Sequence, residues 1–248
     1  MKKIINKILR KFGYQIVSSE KMYIERDPFQ EQRNLITNRE GLVIFDVGGH
    51  HGQTAIQYSG LFKNSTIYTF EPFPDSFIIL KQNVNNYPLI RPFNLALGNS
   101  IGEVEFHINK YSATNSLLPT HEDGAKAWSD NLLETITTIK VHSTSIDDFL
   151  NKNDVKEIDI LKMDTQGTEY YIIEGAAEAI KQNRIKLIYL EIITVPTYKH
   201  QKNLEEILSL LRLNNFELFN FYNSSLTHSG KLRQVDAIFL NRNYQFNI

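Results

Sequence analysis

In this chain, acids stand where apolar runs stop, and glycines follow the first of them at once. Asp46 closes the run Leu42 to Phe45 in "LVIFDVGGHHGQTAIQY", and Gly48, Gly49 and Gly52 come next. Glu71 closes "STIYTF", and Asp164 closes "IDILKM". Glycine reaches positive φ and has no Cβ to keep a ligand off the backbone. A carboxylate accepts from two neighbouring hydroxyls, and Glu71 follows Asp46 near the roughly 20-residue offset at which an acid meets ribose in dinucleotide folds. It also disfavours a 2′-phosphate through like charge. Together these residues describe nucleoside binding.

Such residues need elements that bring them together. An unbroken apolar run fits a strand buried on both faces, as in a parallel sheet covered by helices. Leu42 to Tyr58 therefore reads as strand, glycine-rich turn and helix, with free helix N–H groups facing the same crevice. The rhythm then repeats. A strand over Thr66 to Phe70 leads to a helix begun by Pro72 and Pro74, with Phe77, Leu80 and Val84 on one face. A weaker strand region, "LIRPFNLALGNS", follows, and "EVEFHI" and "TTIKVHST" alternate like half-exposed strands. Ser145 is positioned to cap a helix. Asn109 to Glu134 is a long loop of the kind that is functional or mobile.

In the back half, the strand Ile158 to Asp164 turns at Thr165-Gln166-Gly167 into a helix from Thr168 carrying Ile172, Ile173, Ala176 and Ile180 on one side. Ile185 to Ile192 is a strand containing Glu191, and Leu204, Ile207, Leu208 and Leu211 mark a further helix. Phe216 to Phe221 and Val235 to Leu240 have no helix between them, which implies an antiparallel hairpin at the sheet edge. In a parallel sheet the C-terminal strand ends share one crevice, so Asp46, Glu71 and Asp164 should converge.

Composition sets the outer bounds. A chain of 248 residues, 42% hydrophobic with formal charge −1, suits one α/β domain and argues against a protein that coats nucleic acid. The absence of cysteine excludes disulfides, thiolate metal sites and a cysteine nucleophile. No apolar run nears the ~20 residues of a membrane span, and no signal peptide is visible; a cytoplasmic location is expected. In "MKKIINKILRKFGYQIV", Ile4, Ile5, Ile8, Leu9 and Phe12 take helical spacing and the lysines and Arg10 take the other face. Residues 1–13 are thus a basic amphipathic helix that either docks on the domain or a second subunit, or lies peripherally at the inner membrane face. Residues 1–40 read as this helix and a connector, and 41–248 as the domain.

The turn is D-x-G-G-x-x-G rather than G-x-G-x-x-G. An acid ahead of the glycines suits a cationic ligand better than a pyrophosphate. S-adenosylmethionine offers ribose hydroxyls, an ammonium and a sulfonium without phosphate, so electrostatics favours it over NAD. No G-x-x-x-x-G-K-[ST] occurs. The histidines are scattered, no H-E-x-x-H pairs them, and no metal site is expected. His50 and His51 in the turn read as solvated.

The segments "FDVGGHHGQ", "FEPFPDSFIIL", "NLALGNSIGEVEF", "SATNSLL", "HSTSIDDFL", "IDILKMDTQGTEYYIIEGA" and "LIYLEI", in this order, resemble the FkbM-type S-adenosylmethionine-dependent methyltransferases. The resemblance covers about Leu42 to Leu240. It implies a Rossmann-like class I methyltransferase fold, doubly wound and mostly parallel, with seven strands and an antiparallel last strand. It also implies O-methyl transfer, with Asp46, Gly48, Gly49 and Gly52 at the cofactor turn and Glu71 on the ribose. The loop Asn94 to Gly98, with Ala96, would lie near the adenine. Asp164, Gly167, Glu169 and Glu191 fall on positions the family favours, and Gln166 stands where many members carry Glu. A sugar hydroxyl needs a general base, for which Asp164, Glu169 and Glu191 are the candidates. The expected acceptor is a sugar or surface glycan, with Trp128, Tyr111 and Asn115 of the long loop as a lid. Methylation of a small secondary metabolite and a non-catalytic cofactor-binding subunit stand as alternatives.

Overall fold

A computed structural model describes residues 27–124, 128 and 131–248. The chain first forms β1 (Val43–Val47), β2 (Thr66–Phe70) and β3 (Ile90–Phe93). Next come β4 (Ala96–Leu97), β5 (Gly102–Asn109) and β6 (Thr135–Thr144), then β7 (Ile158–Met163) and β8 (Ile185–Ile193). The hairpin of β9 (Phe216–Leu226) and β10 (Leu232–Asn241) closes it. Seven of these form one sheet in the order β3-β2-β1-β7-β8-β10-β9. Each pairing from β3 to β8 is parallel, and β10 is antiparallel to both neighbours. The chain steps outward from β1 to β3 and returns on the other side of β1 at β7. That reversal between β1 and β7 is the switch point outside which ligands bind in doubly wound sheets.

Strand alternation divides the core between two faces. Phe45, Phe70, Leu161, Met163, Ile188 and Leu190 pack toward the helices Ile146–Lys152, Glu169–Glu174, Ala177–Lys181 and Leu204–Leu213. Phe45, Phe70, Phe93 and Phe149 form an aromatic cluster there, with ring centroids 4.9–5.6 Å apart. Ile44, Ile67, Ile160 and Leu187 face the helices Pro28–Leu35, Gln53–Leu61 and Pro74–Asn83 through Leu35, Tyr58 and Leu80. Full burial of each such side chain stabilises by about 1.5–3 kcal/mol. Two-sided burial explains why β1, β2, β7 and β8 are mostly apolar on both faces.

The hairpin stands at the sheet edge as expected, with β9 outermost and β10 between it and β8. Several expectations change in detail. Both strands extend into the polar segment Asn223 to Gln234, because an edge strand tolerates polar residues on its wet side. The helix from Thr168 is two pieces parted at Gly175, where a Cβ would stand 2.0 Å from the Gly98 carbonyl oxygen. The weak strand region divides between sheets: β3 joins the main sheet, while β4 joins β5 and β6 in a three-stranded one. Part of the supposed connector is the helix Pro28–Leu35, capped by Asp27 and docked through Phe29 on Tyr58 and Tyr189. The basic helix of residues 1–13 lies outside the described residues. Among the described residues, no helix is long and apolar enough to cross a membrane.

Candidate functional site

Outside the C-terminal ends of β1, β2 and β7 opens a cavity of about 370 Å³, within the small-molecule range of about 300–1,000 Å³. The turn after β1 forms one wall. Gly48 and Gly52 take φ of +78° and +89°, and His50 takes +45°. Gly48 and Gly49 N–H both donate to the Phe70 carbonyl, locking the turn to β2. A Cβ on Gly48 would stand 1.8 Å from the Asp164 carbonyl oxygen, and one on Gly49 2.1 Å from Thr69 Oγ1. The glycines are therefore required by close backbone packing. The following helix, Gln53–Leu61, has no side-chain cap, and its first residues Gln53 and Thr54 line the cavity.

Glu71 lies at the end of β2, only 6% exposed, on the cavity wall. His50 N–H donates to its Oε2 at 2.8 Å and Phe73 N–H to its Oε1 at 2.9 Å. Burial raises its pKa to about 7 despite those donors. Asn94 does not line the cavity; its Nδ2 donates to the Glu71 and Pro72 carbonyls and fixes the backbone that carries Glu71. Leu95, Ala96 and Leu97 face the cavity themselves, with Phe106 and Leu117 adding apolar surface.

Asp46 is placed differently from a ligand-facing acid. It is fully buried behind the turn and absent from the cavity wall, where Lys162 Nζ pairs with its Oδ1 at 3.1 Å and Thr69 Oγ1 donates to its Oδ2 at 3.0 Å. The reason is the register: Asp46 pairs with Lys162 inside a sheet covered on both faces. Lys162 also donates to the Gly48 carbonyl at 3.2 Å. Burial works against its ammonium, but Asp46 and then Asp164 outweigh it and the pKa is raised. Gly52 likewise frames the turn without lining the cavity.

Asp164 does line the cavity, held by its own N–H to the Val47 carbonyl at 3.1 Å. Gln166, at φ +57°, donates from Nε2 to Asp164 Oδ1 and to Glu191 Oε2, each at 3.0 Å. Glu191 is off the cavity wall; Gln234 Nε2 donates to its other oxygen at 2.7 Å, and burial followed by the Asp164 charge raises its pKa strongly. Glu169 is off the wall too: its Oε1 accepts from Thr165 N–H and Oγ1 at 2.8 and 2.9 Å. Burial raises its pKa to about 7. The three general-base candidates thus separate into Asp164, which faces the cavity, and Glu169 and Glu191, which brace its turn.

Three cavity residues were not singled out as site residues by the sequence. Lys162 is the one basic residue of β7, which was the available signal. His50 lines the cavity with Nε2 3.0 Å from Ser112 Oγ, and burial and then His51 lower its pKa. Gln166 had a signal only in its departure from Glu. Of the supposed lid, Asn115 lines the cavity while Tyr111 does not. Trp128 packs elsewhere, with Arg233 4.6 Å over its ring and its Nε1–H on Thr197 Oγ1. Among the described residues, no group of His, Asp and Glu is arranged to hold a metal ion.

The site's donors suit a nucleoside sulfonium. Glu71 offers a carboxylate for a diol, Leu95 to Leu97 an apolar border for a base, and Asp164 a negative group for a cation. Comparison with known proteins finds methyltransferases. The methyltransferase FkbM domain matches residues 46–218. The 2-O-methyltransferase NoeI of Sinorhizobium fredii is 28% identical over 71% of this chain and 72% of its own. The hexuronic acid methyltransferase AglP of Haloferax volcanii is 24% identical over 60% of this chain and only 55% of its own. Among solved structures, precorrin-6y C5,15-methyltransferase of Geobacter metallireducens aligns with 91% of this chain and 93% of its own, at 12% identity and a TM-score of 0.47.

Proposed function

The chain belongs to the FkbM family of S-adenosylmethionine-dependent methyltransferases, and from that premise we propose that it methylates a ring hydroxyl of a neutral sugar, with Asp164 as the general base. When bound, S-adenosylmethionine supplies an electrophilic methyl group, so the chain has to orient an acceptor oxygen and remove its proton. Glu71, the glycine turn and Leu95 to Leu97 would hold the cofactor. The observation that carries the proposal is that Asp164 shares one cavity with Glu71 across the turn. Gln166 engages one oxygen of Asp164 and, among the described residues, leaves the other free to accept a proton. Glu191 and Glu169, each already bonded within the frame, are assigned to bracing.

The relatives named for 2-O-methylation and for a hexuronic acid support a sugar as acceptor class. Charge selects a neutral sugar over a uronate. The cavity wall carries two carboxylates, Glu71 and Asp164, and its lysine, Lys162, is already paired with Asp46. A second carboxylate brought by the acceptor would meet like charge in a half-enclosed space.

The test is direct. The purified protein with S-adenosylmethionine is offered methyl hexosides and methyl hexuronides, and methylated product and S-adenosylhomocysteine are measured. Turnover of hexosides in preference to hexuronides is expected, and no methylated glycoside would sink the proposal. Asp164→Asn should lower kcat by about 10²- to 10⁴-fold, the range for a general base, while S-adenosylhomocysteine affinity falls far less. Equal loss of turnover and affinity would remove Asp164 from that role.

A further inference from the structure

The turn after β7 folds a side chain back between two carboxyl groups. Gln166 and Gly167 take φ of +57° and +94° in succession, and a Cβ on Gly167 would stand 3.1 Å from the Tyr198 ring. This left-handed pair returns the Gln166 amide to Asp164, two residues back. Both N–H donors and the oxygen of the amide are then engaged. One Nε2–H goes to Asp164 Oδ1 and the other to Glu191 Oε2, each at 3.0 Å, while Oε1 accepts from Tyr198 Oη at 3.0 Å. Exchanging Oε1 and Nε2 would set an acceptor against two carboxyl oxygens, so the chemistry fixes the orientation.

Two carboxyls within reach of one nitrogen repel each other when both are charged. Glu191 is the one that keeps its proton: its second oxygen is held by Gln234 at 2.7 Å, and burial and then the Asp164 charge raise its pKa. The other titratable groups around Asp164 are Lys162 on its own strand, Glu169 on the following helix, Tyr189 on β8, Asp236 on β10, Tyr198 on the loop beyond β8 and His50 on the turn after β1. Among them only Lys162 is a lasting cation, and Asp46 already holds it. A hydrogen bond donated to a carboxylate favours its charged form, and Gln166 Nε2 is the donor that Asp164 Oδ1 has among the described residues. A glutamate at this position could not serve both carboxyls. As an acid it has one O–H to share between them; ionised, it has none and adds a third negative charge.

We infer that Gln166 is a positioning residue for the transfer: its amide fixes Asp164 beside the cavity as the anion, with one oxygen left to take the acceptor's proton. This rests on the proposed function. In that step the acceptor's O–H breaks and its proton becomes the O–H of Asp164, while Gln166 neither gains nor loses a proton. Glutamine in place of the glutamate that many members carry then has a consequence for this chain. It extends turnover to lower pH.

The experiment titrates the Asp164 carboxyl directly, by carbon-13 NMR of ligand-free protein labelled at its aspartate carboxyls. The signal is assigned by its loss in Asp164→Asn, and wild type is compared with Gln166→Met and Gln166→Glu. Methionine keeps an unbranched side chain of similar length and donates nothing; glutamate brings charge as well. The midpoint should rise by about one pH unit in Gln166→Met and further in Gln166→Glu. With S-adenosylmethionine and the best methyl hexoside both saturating, so that cofactor binding does not enter, the acid limb of kcat should move up with it. A glutamine that only braced the turn would lower kcat at every pH and leave both midpoints in place. Should one variant fail to fold, the other decides alone; should neither fold, Tyr198→Phe, which releases the amide oxygen, must raise the midpoint. The assignment is overturned by a displacement under about half a unit in the variants that fold, or by a downward one. Failure of wild type to methylate any glycoside sinks the functional reading and this assignment with it; unmoved midpoints in an active enzyme sink this assignment alone.

Discussion

In the proposed function Glu71 would couple the cofactor site to pH. Its pKa is raised to about 7 because burial disfavours the charged form, and the ionised form is the one that would accept from two ribose hydroxyls. Cofactor affinity should therefore rise as pH rises through 7 and level off above it, gaining roughly tenfold between pH 6 and pH 8. Calorimetry with S-adenosylhomocysteine on wild type and Glu71→Gln checks this; a gain that survives in the variant belongs to another group. The sign for folding is opposite. Glu71 and Glu169 ionise earlier in the unfolded chain, so both withdraw stability as pH climbs from about 4.5 to about 7, and no more beyond. At this scale the sequence showed which residue types gather at the strand ends but not where their charges go. Asp46 was legible as an acid before glycines. That its charge meets Lys162 depends on a pairing between β1 and β7, residues far apart in the chain, which no local pattern reveals.

The turn after β1 is an element whose shape is imposed from outside itself. Gly48 needs both a left-handed φ and room for the Asp164 carbonyl, whereas Gly60, in the helix the turn leads into, has nothing within 4 Å of a Cβ. Gly48→Ala should destabilise by more than about 2 kcal/mol, and Gly60→Ala should stabilise by about 0.4–1 kcal/mol through the unfolded chain. Urea midpoints distinguish the two; similar shifts would mean the turn relaxes around an added methyl. Elements buried on both faces were legible nearly to their ends, as with β2 over Thr66–Phe70, since their composition answers to burial alone. The hairpin strands β9 and β10 were read too short because polar residues alternate along them. The break at Gly175 was hidden, since the Gly98 carbonyl packed against that glycine arrives from a distant loop.

On the scale of the whole molecule, chain reversal between β1 and β7 opens the crevice, and the segment carrying β4, β5 and β6 supplies its far wall through Ala96, Phe106 and Asn115. The parallel order was readable from the strand–helix rhythm, but the second sheet was not: β5 and β6 pair across the long loop between them. A ligand filling this cavity touches the ends of β1, β2 and β7 and the second sheet together, so binding should hold the native state as a unit. At a hundred times its dissociation constant, S-adenosylhomocysteine adds about 2.7 kcal/mol of stability. For a chain of 248 residues that corresponds to a rise in Tm of roughly 5–10 °C, growing with the logarithm of ligand concentration. NAD should give none, because its pyrophosphate would meet Glu71 and Asp164 while the Gly48, Gly49 and His50 amides are already bonded to Phe70 and Glu71. Thermal scans over a ligand series decide the matter: a shift with NAD equal to that with S-adenosylhomocysteine would mean that these carboxylates do not select the cofactor.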